Sequence, residues 1–421
     1  MNTALCRALP ILLCLASPAL GYDAFSDTRS PPRFALEGAD GTRLILKGQT
    51  GFSWRDLEGT GGLGHDSTTD TATLGTRSPH FALGSARLAV RVELPGDWAC
   101  YSAFAFSDLG ARLESAWLDY DRVTGPWRLT AEVGLNQPFV ADDWQTARPP
   151  LADRIYWGQS EAHIVAQGAR RWGDTWISVG LSAAMMRPLE STPINDASQR
   201  RGTISVLAYG PARPFSGNRP IVGGRVGVEG IQGRLEIFGY VGALTAAEGT
   251  DALRNRIGGF SLLPNFNADD PRRQEQSAWW AGGRGTWRLA GLEVKLEGIR
   301  SRESLLFRHL VAGQLGYVWA PGMERLPATL ELRLRAETYA IEGGGDRLSA
   351  TRALRSPDPS QAITWDHQVY TVALATQIYP RLLWLRAEHS IIEEDNGAPG
   401  LGRANSPINN NETTLDLELR F

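Results

Sequence analysis

Apolar and polar residues alternate along this chain over long stretches. Between residues 414 and 421, leucines at every second position are separated by polar or charged residues, and residues 292–297 and 330–337 repeat the pattern. Because successive side chains of a β-strand point to opposite faces, each stretch predicts a strand with one apolar and one polar face. Several stretches exceed the roughly 5–6 residues of a globular strand and approach the about 9–11 of a tilted membrane-spanning strand. The pattern therefore favours membrane strands over a soluble β-sandwich.

The composition agrees with a transmembrane β-barrel rather than with membrane helices. Mean hydropathy is −0.24. After the first residues, no stretch approaches the roughly 18 uninterrupted apolar residues that a helical span requires. A barrel keeps its hydropathy low because lipid-facing apolar residues alternate with lumen-facing polar residues. A net charge of −3 creates no large field of one sign, so we expect no nucleic-acid partner.

Sixteen segments carry the strand pattern, and we predict an all-β, antiparallel transmembrane barrel of sixteen strands with long outer loops and short periplasmic turns. The segments lie near residues 43–56, 80–94, 98–107, 111–122, 127–135, 159–172, 175–187, 221–230, 233–243, 278–289, 292–303, 309–319, 328–342, 367–379, 381–394 and 411–421. Residues 203–209 also resemble a strand. If they and a neighbouring segment cross the membrane, the count becomes eighteen.

The two ends of the chain carry features of an exported protein. Residues 1–21 combine Arg7, a short apolar run and a small-x-small cleavage site, which is typical of a signal peptide. We expect a short periplasmic segment at 22–42 and the barrel at 43–421. The aromatic Phe421 resembles the assembly signal of outer-membrane barrels. We therefore expect localisation to a Gram-negative outer membrane, with membrane lipid, lipopolysaccharide and the barrel assembly machinery as partners.

Residues that could support catalysis or bind a cofactor are scattered. Removal of the signal peptide leaves Cys100, which we expect to be an inert packing residue, and no C-x-x-C zinc or haem motif occurs. No G-x-S-x-G motif occurs, and the adjacent His389 and Ser390 would point to opposite faces of a strand. We therefore predict no enzyme activity, no catalytic or metal site and no cofactor.

Three neighbouring segments resemble the phosphate-selective porin O and P family. They are residues 86–90 (ARLAV), 114–120 (ESAWLDY) and 133–139 (VGLNQPF). This resemblance implies a sixteen-stranded outer-membrane channel, usually a trimer, that passes small anions such as phosphate. It also implies that the segment after the fifth strand folds into the pore. The lysine cluster of that family has no counterpart, because Lys47 and Lys295 are the two lysines of the chain.

The long third loop, residues 136–158, is the candidate constriction. Its prolines oppose continuous strand pairing, and a barrel of this size needs an inward loop to narrow its lumen. Charged side chains at a constriction select ions by sign. The candidate constriction residues are Asp142, Asp143, Arg148, Asp153 and Arg154. The alternative is that the loop packs at the barrel mouth or at a subunit contact.

The strand pattern also assigns charged residues to the lumen. Arginine suits anion binding because its planar donors match phosphate and carboxylate oxygens. The predicted basic lumen residues include Arg87, Arg91, Arg128, Arg225, Arg333, Arg335 and Arg386. The same faces carry slightly more acidic than basic residues, so many of these charges would pair across strands. We therefore predict a porin for small polar solutes or ions. The alternative function is a scaffold or conduit for a periplasmic cytochrome or an exported polysaccharide.

Overall fold

The chain forms a closed antiparallel barrel of sixteen wall strands, which confirms the predicted fold class. The computed structural model describes residues 34–57, 80–83, 86–107, 110–141, 149–158, 160–187, 189–191, 206–210, 220–244, 277–303, 306–319, 329–343, 366–379, 382–395, 408–409 and 411–420. The predicted signal peptide and Phe421 lie outside these residues. Among the described residues, no helix is long and apolar enough to cross a membrane.

The wall strands, numbered in chain order, have the following bounds. They are β1 (Arg43–Leu57), β2 (His80–Leu83 and Ala86–Leu94), β3 (Trp98–Ser107), β4 (Gly110–Thr124), β5 (Trp127–Asn136), β6 (Glu161–Trp172), β7 (Thr175–Met185), β8 (Pro220–Gly230), β9 (Gly233–Ala243), β10 (Ser277–Leu289), β11 (Leu292–Glu303), β12 (Leu306–Trp319), β13 (Leu330–Gly343), β14 (Asp366–Tyr379), β15 (Leu383–Asp395) and β16 (Ile408–Asn409 and Glu412–Arg420).

Each wall strand pairs with the next, and pairing of β1 with β16 closes the barrel. Gln49 of β1 lies opposite Arg420 of β16. A short additional strand, Phe34–Glu37, pairs with residues 43–46 on the same edge of β1. This strand therefore lies in line with β16. The first and last described strands of the chain together cover the same edge of β1. It lies within the segment 22–42, for which the alternation pattern predicted no strand.

A second short pair resolves the strand count. Leu207–Tyr209 pairs with Leu189–Ser191 in a separate two-stranded sheet rather than with the barrel wall. The described part of the strand-like segment 203–209 therefore belongs to a loop, and the count is sixteen, not eighteen. We call the described parts of the connection between β7 and β8 the fourth-loop segment; it comprises 186–187, 189–191 and 206–210.

Most connections at one end of the barrel are tight turns, and we call this end the turn end. At the turn between β10 and β11, Ala290 and Gly291 have φ values of 50° and 87°. Positive φ at both central residues matches the right-handed twist of the flanking strands. The connections at the opposite end, which we call the loop end, include the long segments between β1 and β2, β5 and β6, and β7 and β8.

The outer face of the barrel is apolar and the inner face is polar. Along β11, Glu293, Lys295 and Glu297 point inward and are buried, while Leu296 points outward and is 60% exposed. Several exposed aromatic residues of the outer face lie close to the turn end; among them are Trp98, Trp127, Trp172, Trp287, Tyr317 and Trp319. Aromatic girdles of this kind mark the membrane interface of transmembrane barrels.

Cys100 lies on the outer face of β3. Its neighbours Ala99 and Tyr101 point inward and are buried, whereas Cys100 itself is exposed. Cys100, which we expect to be an inert packing residue, therefore lies on the apolar outer face and not in the interior. The alternation of β3 turns its side chain toward the surroundings of the barrel.

Candidate functional site

The third loop folds against the inner wall of the barrel. Its described parts, Gln137–Ala141 and residues 149–158, form what we call the inner loop. The Arg225 guanidinium of β8 donates to the carbonyl of Phe139 at 2.5 Å, and Arg284 of β10 donates to the carbonyl of Val140. The backbone N–H of Leu151 donates to Glu337 Oε2 of β13 at 2.5 Å. The loop leaves the wall at β5 and therefore reaches strands on the other side of the lumen.

A single π-helical turn, Asp153–Trp157, anchors the inner loop. The Tyr156 hydroxyl lies 2.7 Å from Ser301 Oγ, and the Trp157 indole N–H donates to Glu297 Oε1 at 3.2 Å. Both wall partners point inward from β11. Tyr156 and Trp157 are fully buried, as is Ile155, which directly precedes them in sequence. Burial raises the pKa of Tyr156, so its hydroxyl stays protonated.

An apolar core fills the lumen between the inner loop and strands β6 to β15. From the loop side, the core contains residues that are 8% exposed or less, namely Phe139, Val140, Ala141, Leu151, Ala152, Ile155, Tyr156 and Trp157. From the wall side, Phe238 meets the Trp157 ring with centroids 5.7 Å apart, and Tyr240 meets Phe139 at 5.8 Å. Burying this much apolar area stabilises the inward position of the loop.

The fourth-loop segment packs beside the inner loop. The Tyr209 hydroxyl donates to Glu303 Oε1 at 2.9 Å, and its ring lies 6.2 Å from that of Tyr156. Glu303 also accepts two bonds from Arg308, at 2.9 and 2.5 Å, in a fully buried ion pair. Bidentate arginine–carboxylate pairs are among the strongest polar contacts in proteins. Two loops and two wall strands therefore meet at this pair.

A chain of polar side chains joins this region to the opposite wall. Arg187 of the fourth-loop segment donates to the Tyr156 carbonyl at 2.5 Å and lies 3.3 Å from Glu161. His163 lies 3.8 Å from Glu161 and 2.6 Å from Glu132 of β5. The burial of Arg187 lowers its pKa, and the carboxylate of Glu161 opposes this shift. Each buried charged side chain in this series thus has an oppositely charged or hydrogen-bonding neighbour.

The rest of the inner wall, which comprises β1 to β5, β16 and the turn-end part of β15, lies outside this core. Tyr101 and Glu418 are buried on this wall, but its arginines are only half-buried. Its arginines pair with carboxylates while keeping part of the side chain exposed. Arg87 lies 2.7 Å from Glu114 and is 29% exposed, and Arg91 lies 3.2 Å from Asp119 and is 30% exposed. The side chains of Arg225 and Arg335, on the packed wall, are 3% and 0% exposed. The lumen is therefore asymmetric: the inner loop packs against one half, and the other half, which we call the accessible half, carries partly exposed charged pairs.

The structure locates the predicted constriction residues as follows. Asp153 and Arg154 lie in the π-helical turn and are half-buried, in contrast to the fully buried residues that follow them. Asp142, Asp143 and Arg148 lie outside the described residues. The turn therefore carries one partly exposed carboxylate and one partly exposed guanidinium next to the packed core.

All seven predicted basic lumen residues are on the inner face, but they fall into two groups. Arg87, Arg91, Arg128 and Arg386 belong to the accessible half. Arg225, Arg333 and Arg335 are buried: Arg333 pairs with Glu331 at 2.6 Å and Arg335 with Glu337 at 2.7 Å. The buried group braces the wall or holds the inner loop rather than facing solvent.

Sequence reasoning missed several residues that hold the inner loop. They are Arg187, Arg284, Arg308, Glu161 and Glu303. Alternation along β10 and β12 was a usable signal for Arg284 and Arg308, because both fall on the same face as buried inward positions. No local signal marks Arg187, whose role depends on a loop. In the described part of the chain, no group of three or more His, Cys, Asp or Glu residues is arranged to hold a metal ion.

Known structures with the same architecture identify the fold. The outer membrane channel DcaP of Acinetobacter baumannii is 11% identical, with a TM-score of 0.53, over 92% of this chain and 99% of that one. The chain has the fold of the outer-membrane porins. OprB of Pseudomonas putida matches at 11% identity and a TM-score of 0.52, over 91% and 94% of the two chains. An anion-selective porin from Comamonas acidovorans matches this porin fold at 11% identity and a TM-score of 0.50, over 90% and 99%. No family model and no curated protein sequence matches the chain.

Proposed function

We propose that this chain is an outer-membrane porin through which small polar solutes and ions diffuse passively. The observation that carries the proposal is the asymmetric lumen: the inner loop packs against one half of the wall and leaves partly exposed charged pairs on the other half. The apolar outer face with its aromatic girdle suits insertion in a bilayer. Residues 1–21 act as the export signal, and the barrel assembles in the outer membrane as a trimer.

The accessible wall supports weak ion selectivity. Arg91 lies between Glu93 at 3.3 Å and Asp119 at 3.2 Å, and Arg128 lies 2.5 Å from Asp121. Because each of these guanidiniums shares its field with a carboxylate, a passing anion meets little uncompensated positive charge. Phosphate is then one of several small anions that the pore passes. Asp153 and Arg154 form part of the narrowest zone and contribute opposite charges to it.

The test is the reversal potential of purified, folded protein in a planar bilayer under a salt gradient. A small reversal potential with clear conductance is expected. Arg154→Ala should move the potential in the cation-selective direction, and Asp153→Asn should move it in the anion-selective direction. A bilayer without conductance would refute the porin function. If both variants have the reversal potential of the wild type, the π-helical turn is not part of the constriction.

The packed half of the lumen argues against a conduit for a large partner. The inner loop and the fourth-loop segment fill the space in front of strands β8 to β13 with buried side chains. A polysaccharide chain or a cytochrome domain would have to displace this core. Removing several buried aromatic side chains from their packing would cost free energy. Small solutes need no such displacement.

A further inference from the structure

Two arginines stand on the outer, apolar face of β11. Ile299, Ser301 and Glu303 point inward and are buried, so Arg300 and Arg302 point outward, where Arg300 is exposed. A cation on a lipid-facing surface is costly unless it reaches the headgroup level or meets an anion. The position of these two arginines along the barrel therefore decides what they can contact.

The two arginines lie at the upper edge of the apolar belt. Outward-facing residues of β11 are apolar from Leu292, beside the turn end, to Gly298. At about 3.3 Å per residue and a tilt of about 40°, the rise from residue 292 to residue 300 is roughly 20 Å. The apolar band of such barrels is about 25 Å tall. Arg300 therefore lies near the headgroups of the leaflet at the loop end, and Arg302 lies slightly closer to the loop end than Arg300.

Neighbouring strands add a second basic side chain and aromatic rings to the same place. In register, Arg300 lies opposite His309 of β12, and Arg302 lies opposite Phe307. The Arg302 guanidinium is 5.3 Å from the centroid of the Phe307 ring. On the other side, Trp279 of β10 is the register partner of Arg302. The aromatic rings flank a guanidinium at the level where lipid headgroups begin.

A shallow hollow lies directly below the basic residues. Gly298 of β11 faces outward, and a Cβ built on it would meet nothing within 4 Å. Its register partners are Gly283 of β10 and Val311 of β12, and the nearby Gly313 lies opposite Leu296. With so few side chains on these positions, an acyl chain can lie closer to the backbone here than over the leucine-rich parts of the belt.

We propose that this surface binds the phosphate-bearing headgroup of a membrane lipid; we call it the basic outer patch, formed by Arg300, Arg302 and His309. The two guanidiniums bind the phosphate oxygens, because their planar donors match that geometry. One acyl chain lies in the hollow over Gly298. The inference rests on the proposed function, since the porin must be embedded in a bilayer for a lipid to reach this face.

The experiment compares lipid binding by three proteins purified in a mild, uncharged detergent. They are the wild type, the double variant Arg300→Gln with Arg302→Gln, and the matched control Arg170→Gln. Arg170 is exposed on the outer face of β6 near the turn end, 5.2 Å from the Trp127 ring and 6.0 Å from the Trp172 ring. The control thus loses an outward-facing arginine that also lies against aromatic rings, at the opposite membrane boundary.

The probes are diphosphorylated lipid A and the same lipid after enzymatic removal of its phosphates, titrated while the thermal unfolding midpoint is followed. We expect the double variant to bind the phosphorylated lipid at least tenfold more weakly than the wild type, with the control within about twofold. We expect the wild type and the control to bind the dephosphorylated lipid more weakly than the phosphorylated lipid, and the double variant to bind the two lipids about equally. Equal binding of the phosphorylated lipid by the double variant and the wild type would overturn the patch, as would equal binding of the two lipids by the wild type.

Conductance separates a failure of the patch from a failure of the porin. The double variant should keep the wild-type conductance, because neither arginine faces the lumen. A protein that conducts but shows no difference in lipid binding overturns the patch alone. A protein that is silent in bilayers overturns the porin, while the titration in detergent still decides the lipid site. If the double variant does not fold, Arg300→Gln and the charge-keeping Arg300→Lys are compared, and equal binding by these two overturns the patch.

Discussion

Tyr156 offers the sharpest perturbation of the inner loop. Its side chain is fully buried, it is hydrogen-bonded to Ser301 at 2.7 Å, and the Arg308 guanidinium lies 5.2 Å from its ring centroid. Truncating a buried aromatic residue to alanine costs about 3–5 kcal/mol. If the full cost falls on the docked loop, the ratio of detached to docked loop rises roughly 100- to 5,000-fold. We expect Tyr156→Ala to open brief states of higher conductance in single-channel recordings.

The matched control is Tyr156→Phe, which keeps the ring and removes the hydroxyl. Ser301 retains its bond to Glu303 at 3.2 Å, so the loss should be close to the net worth of one hydrogen bond, about 1 kcal/mol. That corresponds to a change of roughly fivefold in the detached fraction. If folded Tyr156→Ala protein shows the conductance and the noise of the wild type, the inner loop either is not held by Tyr156 or does not limit the current.

Three further predictions concern the wall. Gly134 has a φ of 148°, and a Cβ there would lie 2.4 Å from the Ala116 carbonyl oxygen, so Gly134→Ala should lower the free energy of unfolding by about 1–3 kcal/mol or more in urea titrations. Gly168→Ala, where a Cβ meets nothing within 4 Å, should change the urea midpoint little, and equal effects would contradict the steric argument. Cys100, exposed on the outer face, should react in membranes with a lipophilic maleimide and not with a charged, water-soluble thiol reagent; labelling by the charged reagent would place it in water. Arg91→Ala should shift the reversal potential toward cations, because it leaves Glu93 and Asp119 without their shared guanidinium; no shift would remove this wall from the ion path.

Most of the wall could be predicted from local sequence. The alternation of residues is a property of single strands, so it gave the sixteen segments and the inward direction of Arg87, Arg225 and Arg333 without knowledge of the neighbours. The same rule could not decide alone whether residues 203–209 cross the membrane, because Leu207–Tyr209 is a strand that pairs within a loop. Alternation did not assign Cys100 to a face, because that depends on which face of the strand is enclosed.

The site was less accessible to sequence reasoning, because closure of the barrel creates it. Leu151 meets Glu337, which lies 186 residues further along the chain, and no local pattern links the two. Arg225 and Arg335 looked equivalent to Arg91 as inward-facing cations, yet they are buried while Arg91 remains accessible. The difference arises from the inner loop, which covers one half of the wall and not the other. Prolines and length suggested that this loop is special, but its docking partners required the fold.

The central claim is that a water-filled passage runs along the accessible wall and is narrowed by the inner loop. Single-channel conductance tests it most directly, measured on the folded wild type and on a variant in which residues 138–157 are replaced by a short Gly-Ser linker. We predict that the wild type conducts and that the shortened variant conducts severalfold more at the same salt concentration. A silent wild type, or equal conductance of the two folded proteins, would contradict the account.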